Sequence, residues 1–449
     1  MIRKMICGAG ALGMSLLASA TAFAQTGPIK APTVEQMATM VNKGDTAWIL
    51  VSSVLVLMMS VPALALFYGG LVRTKNMLSV LMQVFMIVSI AALVWVSWGY
   101  SLAFTGGSPF IGGLSKAFLQ GVTASTYAAT FSNNVYLPEY TYVIFQMTFA
   151  CITPALIIGA FAERIKFAAV LIFMTIWFTI NYVPMAHMGW GGGWVFQLGA
   201  QDFAGGNVVH VNVGIAALVG AWLVGARKGV GTSAMSPHNM TMTMTGGSLL
   251  WVGWLAFCGG CALAANGFAI LVVVNTMLAA TAGTLSWVLV EWAHRGRPSM
   301  LGAISGAIAG LVAITPACGF VGPMGAIAIG LIVSPICVWA VEKLKPMIGL
   351  DDSFDVFGVH GVGGIAGGIL TTIFAQPALG GLGFAEGRDF GSQMQVQLLV
   401  IGFSILYSAI SSFVAFKITA LLCGGLRVAE DDEIEGLDMS SHGEPGYKL

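Results

Sequence analysis

The chain has 449 residues, 57% of them hydrophobic and 8% charged, against about 25% charged in an average soluble domain. That deficit excludes an ordinary soluble domain and places the protein in lipid. The formal net charge of +0 comes with no basic stripe that could track phosphates, so nucleic acid is excluded as a partner.

Residues 1–24 are expected to be a cleaved signal peptide. Arg3 and Lys4 form its positive start, the apolar stretch runs to Leu17, and Ala22-Phe23-Ala24 precedes the cut before Gln25. The next segment, up to Asp45, is polar, so the mature N-terminus is expected on the periplasmic side of a cell inner membrane.

Eleven later stretches are long and apolar enough to cross about 30 Å of hydrocarbon. They are 46–72, 77–104, 141–162, 167–187, 207–226, 241–263, 267–292, 299–318, 320–341, 356–375 and 395–424. Alternate connections carry paired cations: Arg73 with Lys75, Arg164 with Lys166, Arg227 with Lys228, Arg295 with Arg297, and Lys343 with Lys345. The other connections hold only Lys116 and Arg388. By the positive-inside rule the paired-cation loops are cytoplasmic. Eleven spans then leave the C-terminus in the cytoplasm, in agreement with the signal peptide. The expected organisation is one membrane domain, 25–424, and a cytoplasmic tail, 425–449. Gly302-x-x-x-Gly306-x-x-x-Gly310 suits close helix packing in a membrane.

An internal echo joins spans five and ten. His210-Val-Asn-Val-Gly214-Ile-Ala216 and His360-Gly-Val-Gly-Gly364-Ile-Ala366 both read His-x-x-x-Gly-Ile-Ala. Five spans per half is an odd number, so the halves enter the membrane with opposite polarity. The fold class expected is an all-α membrane protein: a 5+5 inverted repeat plus a final helix, with a site near the midplane.

Ionisable groups inside spans are expensive and are functional candidates. His210 and His360 lie deep in apolar, glycine-rich sequence. His187, His238, His294 and His442 lie near span ends, loops or the tail. Two imidazoles without a nearby Cys, Asp or Glu make a poor closed metal site. As a hydrogen-bonded pair they can accept or pass a proton, which suits a substrate whose charge is a removable proton. Trp190, Phe149 and Phe257 supply aromatic faces that attract cations by about 0.5–2 kcal/mol each. Their convergence at one mouth would make a binding site. Asp202, eight residues before His210, is placed to cap that helix or to lend charge to a cation site. Asp351, Asp352 and Asp355 precede span ten and are expected to do similar structural work. The seven cysteines mostly sit in apolar stretches, where a thiol behaves as a small hydrophobe. No cofactor is implied.

With these residues in view, the chain closely resembles the ammonium transporter family, whose relatives include methylammonium permeases and Rhesus proteins. The resemblance covers nearly the whole mature chain. It rests on Phe67-Tyr-Gly-Gly-Leu71, Gly159-Ala-Phe-Ala-Glu-Arg164, Asp202-Phe-Ala-Gly-Gly-Asn-Val-Val-His210 and Asp355-Val-Phe-Gly-Val-His-Gly361. It implies an outer recruitment site with Trp190 and Phe149, and Asp202 as the acid that builds it. It implies that Phe149 and Phe257 close the pore, that His210 and His360 are twin pore histidines, and that Trp254, Tyr182 and Thr315 line or support the pore. It also implies a homotrimer with one pore per subunit. The tail segments Gly425-Leu-Arg-Val and Glu435-Gly-Leu-Asp-Met-Ser-Ser-His-Gly443 resemble a regulatory tail, and a PII-type signal protein is a possible partner at the cytoplasmic face.

One departure stands out. Cys261 occupies the position of the family's recruitment serine, and Cys258 that of a usual asparagine. A thiol is a weaker hydrogen-bonding group than a hydroxyl, so weaker outer binding of ammonium is expected. The reading at this stage is ammonium recruitment, deprotonation and a twin-histidine relay. Either neutral ammonia or net ammonium passes, and net uptake is the expectation. The alternative is an ammonium sensor acting through a cytoplasmic partner, since the tail holds no output domain. An enzyme is not expected: no span carries a carboxylate pair, and there is no metal set or nucleotide loop.

Overall fold

The computed structural model describes residues 32–447. The signal-peptide assignment, 1–24, and Cys7 lie outside them. In a bilayer core no water can satisfy backbone N–H and C=O groups, so an apolar chain must close its hydrogen bonds within each segment. The chain does so with long helices: α1 Lys43–Leu71, α2 Thr74–Phe104, α3 Glu139–Ala160, α4 Phe167–Gln197, α5 Gly206–Val224, α6 Met240–Gly260, α7 Gly267–Arg295, α8 Met300–Ile314, α9 Pro323–Met347, α10 Phe357–Phe374 and α11 Phe390–Leu422. Their starts are marked by short polar caps: Asn42 on α1, Asn239 on α6, Asn266 on α7, Ser299 on α8 and Asp389 on α11.

Eleven spans were expected. Among the described residues, nine helices meet the length and apolarity needed to cross a membrane. The other two expected spans coincide with α6 and α8. Thr and Gly dilute the apolar character of α6, and α8 has only 15 residues. Between α2 and α3 lies a small antiparallel hairpin, β1 Tyr127–Ala129 with β2 Tyr136–Pro138, in which Ala128 faces Leu137.

Small residues set the helix spacing. A Cβ on Gly306 would lie 2.6 Å from Gly283 O, and one on Gly310 would lie 2.3 Å from Ala279 O. The expected stripe therefore seats α8 against α7. The repeat motif has the same physical basis. A Cβ on Gly214 of α5 would meet Gly361 Cα of α10 at 2.1 Å, and one on Gly364 would meet His210 Cβ at 3.2 Å. The fourth residue after each histidine must be small so that the two helices can cross at backbone contact.

The cation-bearing loops share one face. Arg73 bonds Glu163 (Nε to Oε2, 2.5 Å) and Arg227 bonds Asp351 (2.8 Å). Arg164 is fully buried and donates to Gly225 O, Ala162 O, Ala160 O, Asp351 O and Ser353 Oγ. Burial pulls its guanidinium down to about 10, against the opposing charge of Asp351. The chain after α11 turns at Gly424 and Gly425, both at positive φ, and folds back over this face as α12 Glu430–Glu435 and α13 Leu437–His442. Glu433 accepts from Arg427 (2.7 Å) and from the Lys228 backbone (2.7 Å), and Asp438 accepts from the Ser79 backbone (2.8 Å).

The Gly214 contact is sharp enough to test. Gly214→Ala forces its new methyl into the α10 backbone, and overpacking of this kind costs about 1–3 kcal/mol or more. A lower unfolding temperature of the detergent-solubilised protein is expected, together with loss of transport. Unchanged values for both would show that the crossing tolerates a methyl.

Candidate substrate pathway

Both histidines sit in π-helical turns at the starts of α5 and α10, at Gly206–Val211 and Phe357–Val362. Such turns are rare and often mark functional sites. The glycine crossing brings the two rings together inside the protein, with His210 Nδ1 3.2 Å from His360 Nδ1. His210 is 1% and His360 6% exposed. The rings tilt by 32° with centroids 5.3 Å apart.

One threonine anchors the pair. Thr315 Oγ1 lies 2.8 Å from Leu311 O, 2.9 Å from Trp254 Nε1 and 3.3 Å from His210 Nε2. The indole can only donate. When the hydroxyl donates to Leu311 O, His210 Nε2 must donate to Thr315, its Nδ1 accepts, and His360 Nδ1 carries the shared proton. When the hydroxyl turns to His210, both rings adopt the other tautomer. A proton gained at one end of the pair and lost at the other interconverts these states. The Trp254 indole lies over the His210 ring at 5.2 Å and 22° and holds it flat.

The pair opens on a narrow apolar cavity lined by both histidines, Trp254, Phe257, Phe67, Tyr68, Ile152 and Ile308 among others. Above it Phe149 and Phe257 lie with centroids 4.1 Å apart, tilted by 34°, and each ring is 1% exposed. Trp190 follows on the other side of Phe149, at 5.8 Å and nearly perpendicular. Cys261 ends α6 one turn beyond Phe257, and its thiol donates to Phe257 O at 3.2 Å. A helix C-terminus of this kind favours a nearby cation. Trp190, Phe149 and Phe257 therefore form a continuous column above His210, with Cys261 one turn beyond Phe257.

Asp202 caps α5. Its carboxylate accepts from the amides of Gly205 (3.1 Å), Gly206 (2.5 Å) and Asn207 (2.8 Å). Burial raises its carboxyl, and these amides pull it down. Gly205, at φ 109°, lies flat beneath Trp190, where a Cβ would be 3.0 Å from Cζ2. The acid thus shapes the loop that supports the tryptophan. Tyr182 lies outside the cavity lining. It is fully buried, and its hydroxyl has no hydrogen-bond partner among the described residues. His187 is held between Ala103 O and Ser108 O, both at 2.9 Å, which accounts for it structurally.

Tyr68, which also lines the cavity, carries no signal of periodicity that would have found it. It lies in one of the motifs on which the resemblance rests, and its hydroxyl donates to Leu156 O at 2.7 Å. The acids before α10 divide their work in a way the sequence did not predict. Asp352 caps Phe357 N at 2.7 Å, whereas Asp351 pairs with Arg227 and Asp355 with Lys345.

A model of the Ammonium Transporter Family matches residues 47–447. The chain belongs to this family. It is 47% identical to the ammonium transporter of Bacillus subtilis (strain 168) over 409 residues, covering 90% of this chain and 98% of that one. It is 44% identical to the ammonium transporter of Aquifex aeolicus (strain VF5), covering 91% and 94%. Among solved structures, Candida albicans Mep2 is 33% identical, with a TM-score of 0.80 over 88% of each chain. A chain described as "Sensor Amt Protein" is 27% identical, with a TM-score of 0.81 over 91% of this chain and 99% of that one. The protein is a membrane transporter of the ammonium family, not an enzyme.

Thr315 offers a direct test of how the transporter holds its histidines. Thr315→Val leaves the Trp254 indole and His210 Nε2 without their buried partner, a cost of about 1–3 kcal/mol. Slower transport and a less stable protein are expected. Wild-type methylammonium uptake and an unchanged unfolding temperature in the variant would show that the hydroxyl does not anchor the pair.

Proposed function

We propose that the protein carries out net ammonium uptake across the inner membrane. Trp190, Phe149, Cys261 and Asp202 form the outer recruitment site, Phe149 and Phe257 the constriction, and His210 and His360 the relay, with Trp254, Tyr182 and Thr315 in support. The observation that carries this reading is the 3.2 Å contact between two imidazoles inside an apolar cavity. A bare cation loses its hydration there, a penalty of several kcal/mol. Ammonia does not bear that charge. Ammonium gathers on the aromatic faces, worth about 0.5–2 kcal/mol each, and sheds water at the paired rings. Ammonia then crosses the cavity while its proton moves through the imidazole pair, one N–H bond breaking as another forms.

The reading has a cellular setting. Residues 1–24 are removed, the mature N-terminus is periplasmic, and residues 25–424 form the membrane domain. The face that carries the paired cations is cytoplasmic, with the tail from 425 to 449 acting on it as a regulatory element. The active form is a homotrimer, and a PII-type signal protein docks at the cytoplasmic face. Sensing through a cytoplasmic partner is the second reading, favoured by the likeness to the chain described as a sensor. Rescue of growth on low ammonium in a transport-deficient host would oppose a purely sensory role.

Ammonium pulses on reconstituted vesicles should give transient currents, and a silent wild type would sink the proposal of net ammonium passage. His210→Ala or His360→Ala should abolish selective current and admit potassium.

Cys261 bears on recruitment separately. Its thiol proton is directed to Phe257 O, leaving a weak sulfur acceptor for the substrate. Cys261→Ser should tighten apparent ammonium affinity by about 0.5–1.5 kcal/mol, the worth of a typical hydrogen bond. Concentration dependence of the current reads this out, and unchanged affinity would remove Cys261 from the recruitment site.

A further inference from the structure

Asp202 and Asp352 stand in the same relation to the two histidines. Each lies eight residues before its histidine. Each accepts, through Oδ2, the backbone N–H five residues ahead: Asn207 at 2.8 Å and Phe357 at 2.7 Å. The repeat sets one beside Trp190 and the other among the cation-bearing loops, at the opposite end of the pathway.

They differ in one respect. Asp202 uses both oxygens, because Oδ1 also accepts from Gly205 and Gly206. Asp352 is 1% exposed, yet its Oδ1 has no hydrogen-bond partner among the described residues. A cap needs one oxygen, and an idle buried carboxylate oxygen is costly. The nearby cations are engaged elsewhere. Lys345 pairs with Asp355 and reaches only the backbone oxygen of Asp352, at 3.4 Å. Arg227 pairs with Asp351, and Arg164 donates to Asp351 O.

The location is suited to the pathway. Phe354, two residues after Asp352, packs its ring 5.1 Å from Tyr68, which lines the cavity. Phe357, whose amide Asp352 holds, is three residues before His360, about 5 Å of helix rise. Burial, followed by the charge of Asp355, pushes the Asp352 carboxyl up to about 6, while Lys345 and the amides of Phe357 and Val356 act the other way. It therefore gains and loses a proton near neutrality.

We propose that Asp352 is the proton acceptor at the exit of the pathway, taking the proton that leaves His360 and returning it to the emerging ammonia. In the first transfer an N–H bond on His360 breaks and an O–H bond forms on Asp352 Oδ1. In the second that O–H bond breaks as the fourth N–H bond of ammonium forms. No electrons are exchanged and no co-reactant is needed. The inference rests on the net-ammonium reading above.

Asp352→Asn separates acid from cap, because the amide oxygen still accepts from Phe357 N. Vesicles containing wild type, Asp352→Asn or Asp352→Glu are pulsed with ammonium, and both current and lumenal pH are recorded. Asp352→Asn should lose about tenfold or more of the current, the scale of a lost proton-transfer group, while lumenal alkalinisation by ammonia persists. Asp352→Glu should restore the current. In wild type the current should fall as the pH at this face drops through about 6, because the neutral acid cannot accept a proton. Full current in Asp352→Asn would leave Asp352 a cap and overturn the proposal. So would equal loss of current and ammonia flux without rescue by Asp352→Glu. A silent wild type removes the net-ammonium reading itself, and the proposal with it. Should Asp352→Asn fail to assemble, an Asp352→Glu protein with the pH dependence of wild type would overturn the assignment.

Discussion

The contact on which the pathway depends is made by backbone rather than by any polar group. Gly214 lies against Gly361, and Gly364 lies against His210. A side chain at either position would push α5 and α10 apart by the width of a methyl. The imidazoles, now at 3.2 Å, would then lose their hydrogen bond. In the membrane there is little hydrophobic force to press helices together, so close van der Waals contact must supply the geometry. The π-helical turns, the Thr315 anchor and the indole over His210 all presuppose that crossing.

Charge is confined to the two ends. On the cation-rich face, Arg164 has no solvent exposure, and five acceptors from three separate segments converge on it. The tail joins the same network through Arg427 and Glu433. At the other end Asp202 holds the α5 start and the loop under Trp190. Between these ends the lining is apolar apart from the histidines. Any movement of the tail is mechanically linked, through Arg227, Asp351 and the segment that follows it, to the start of the helix carrying His360.

The histidines were legible in the sequence because an ionisable group in an apolar span has few physical excuses. The echo of glycine four residues later placed them on related helices. The crowding of Gly302, Gly306 and Gly310 was legible for the same reason, since small residues at helical spacing have one common use in lipid. Tyr68, Ile152 and Ile308 were not legible as lining, because an apolar residue facing a cavity reads like one facing lipid. The pairing of Arg227 with Asp351 was hidden by their sequence separation of 124. The count of spans was only partly legible. Thr and Gly dilute the apolar character of α6, and α8 has only 15 residues, so neither carries the full hydrophobic length of the other spans. The resemblance to a known family supplied the order of the column from Trp190 to His360, which spacing alone could not give.

The paired phenylalanines carry a consequence for cellular energetics. With Phe149 and Phe257 centroids 4.1 Å apart and both rings buried, the two rings leave no room for water between them. A continuous column of water would let protons hop freely down the electrical gradient. Each would dissipate about 2.3 kcal/mol at 100 mV, and the work of charging the membrane would be lost as heat. In the proposed pathway the two hydrocarbon rings are thus an insulator as much as a filter, in a membrane whose voltage the cell must keep.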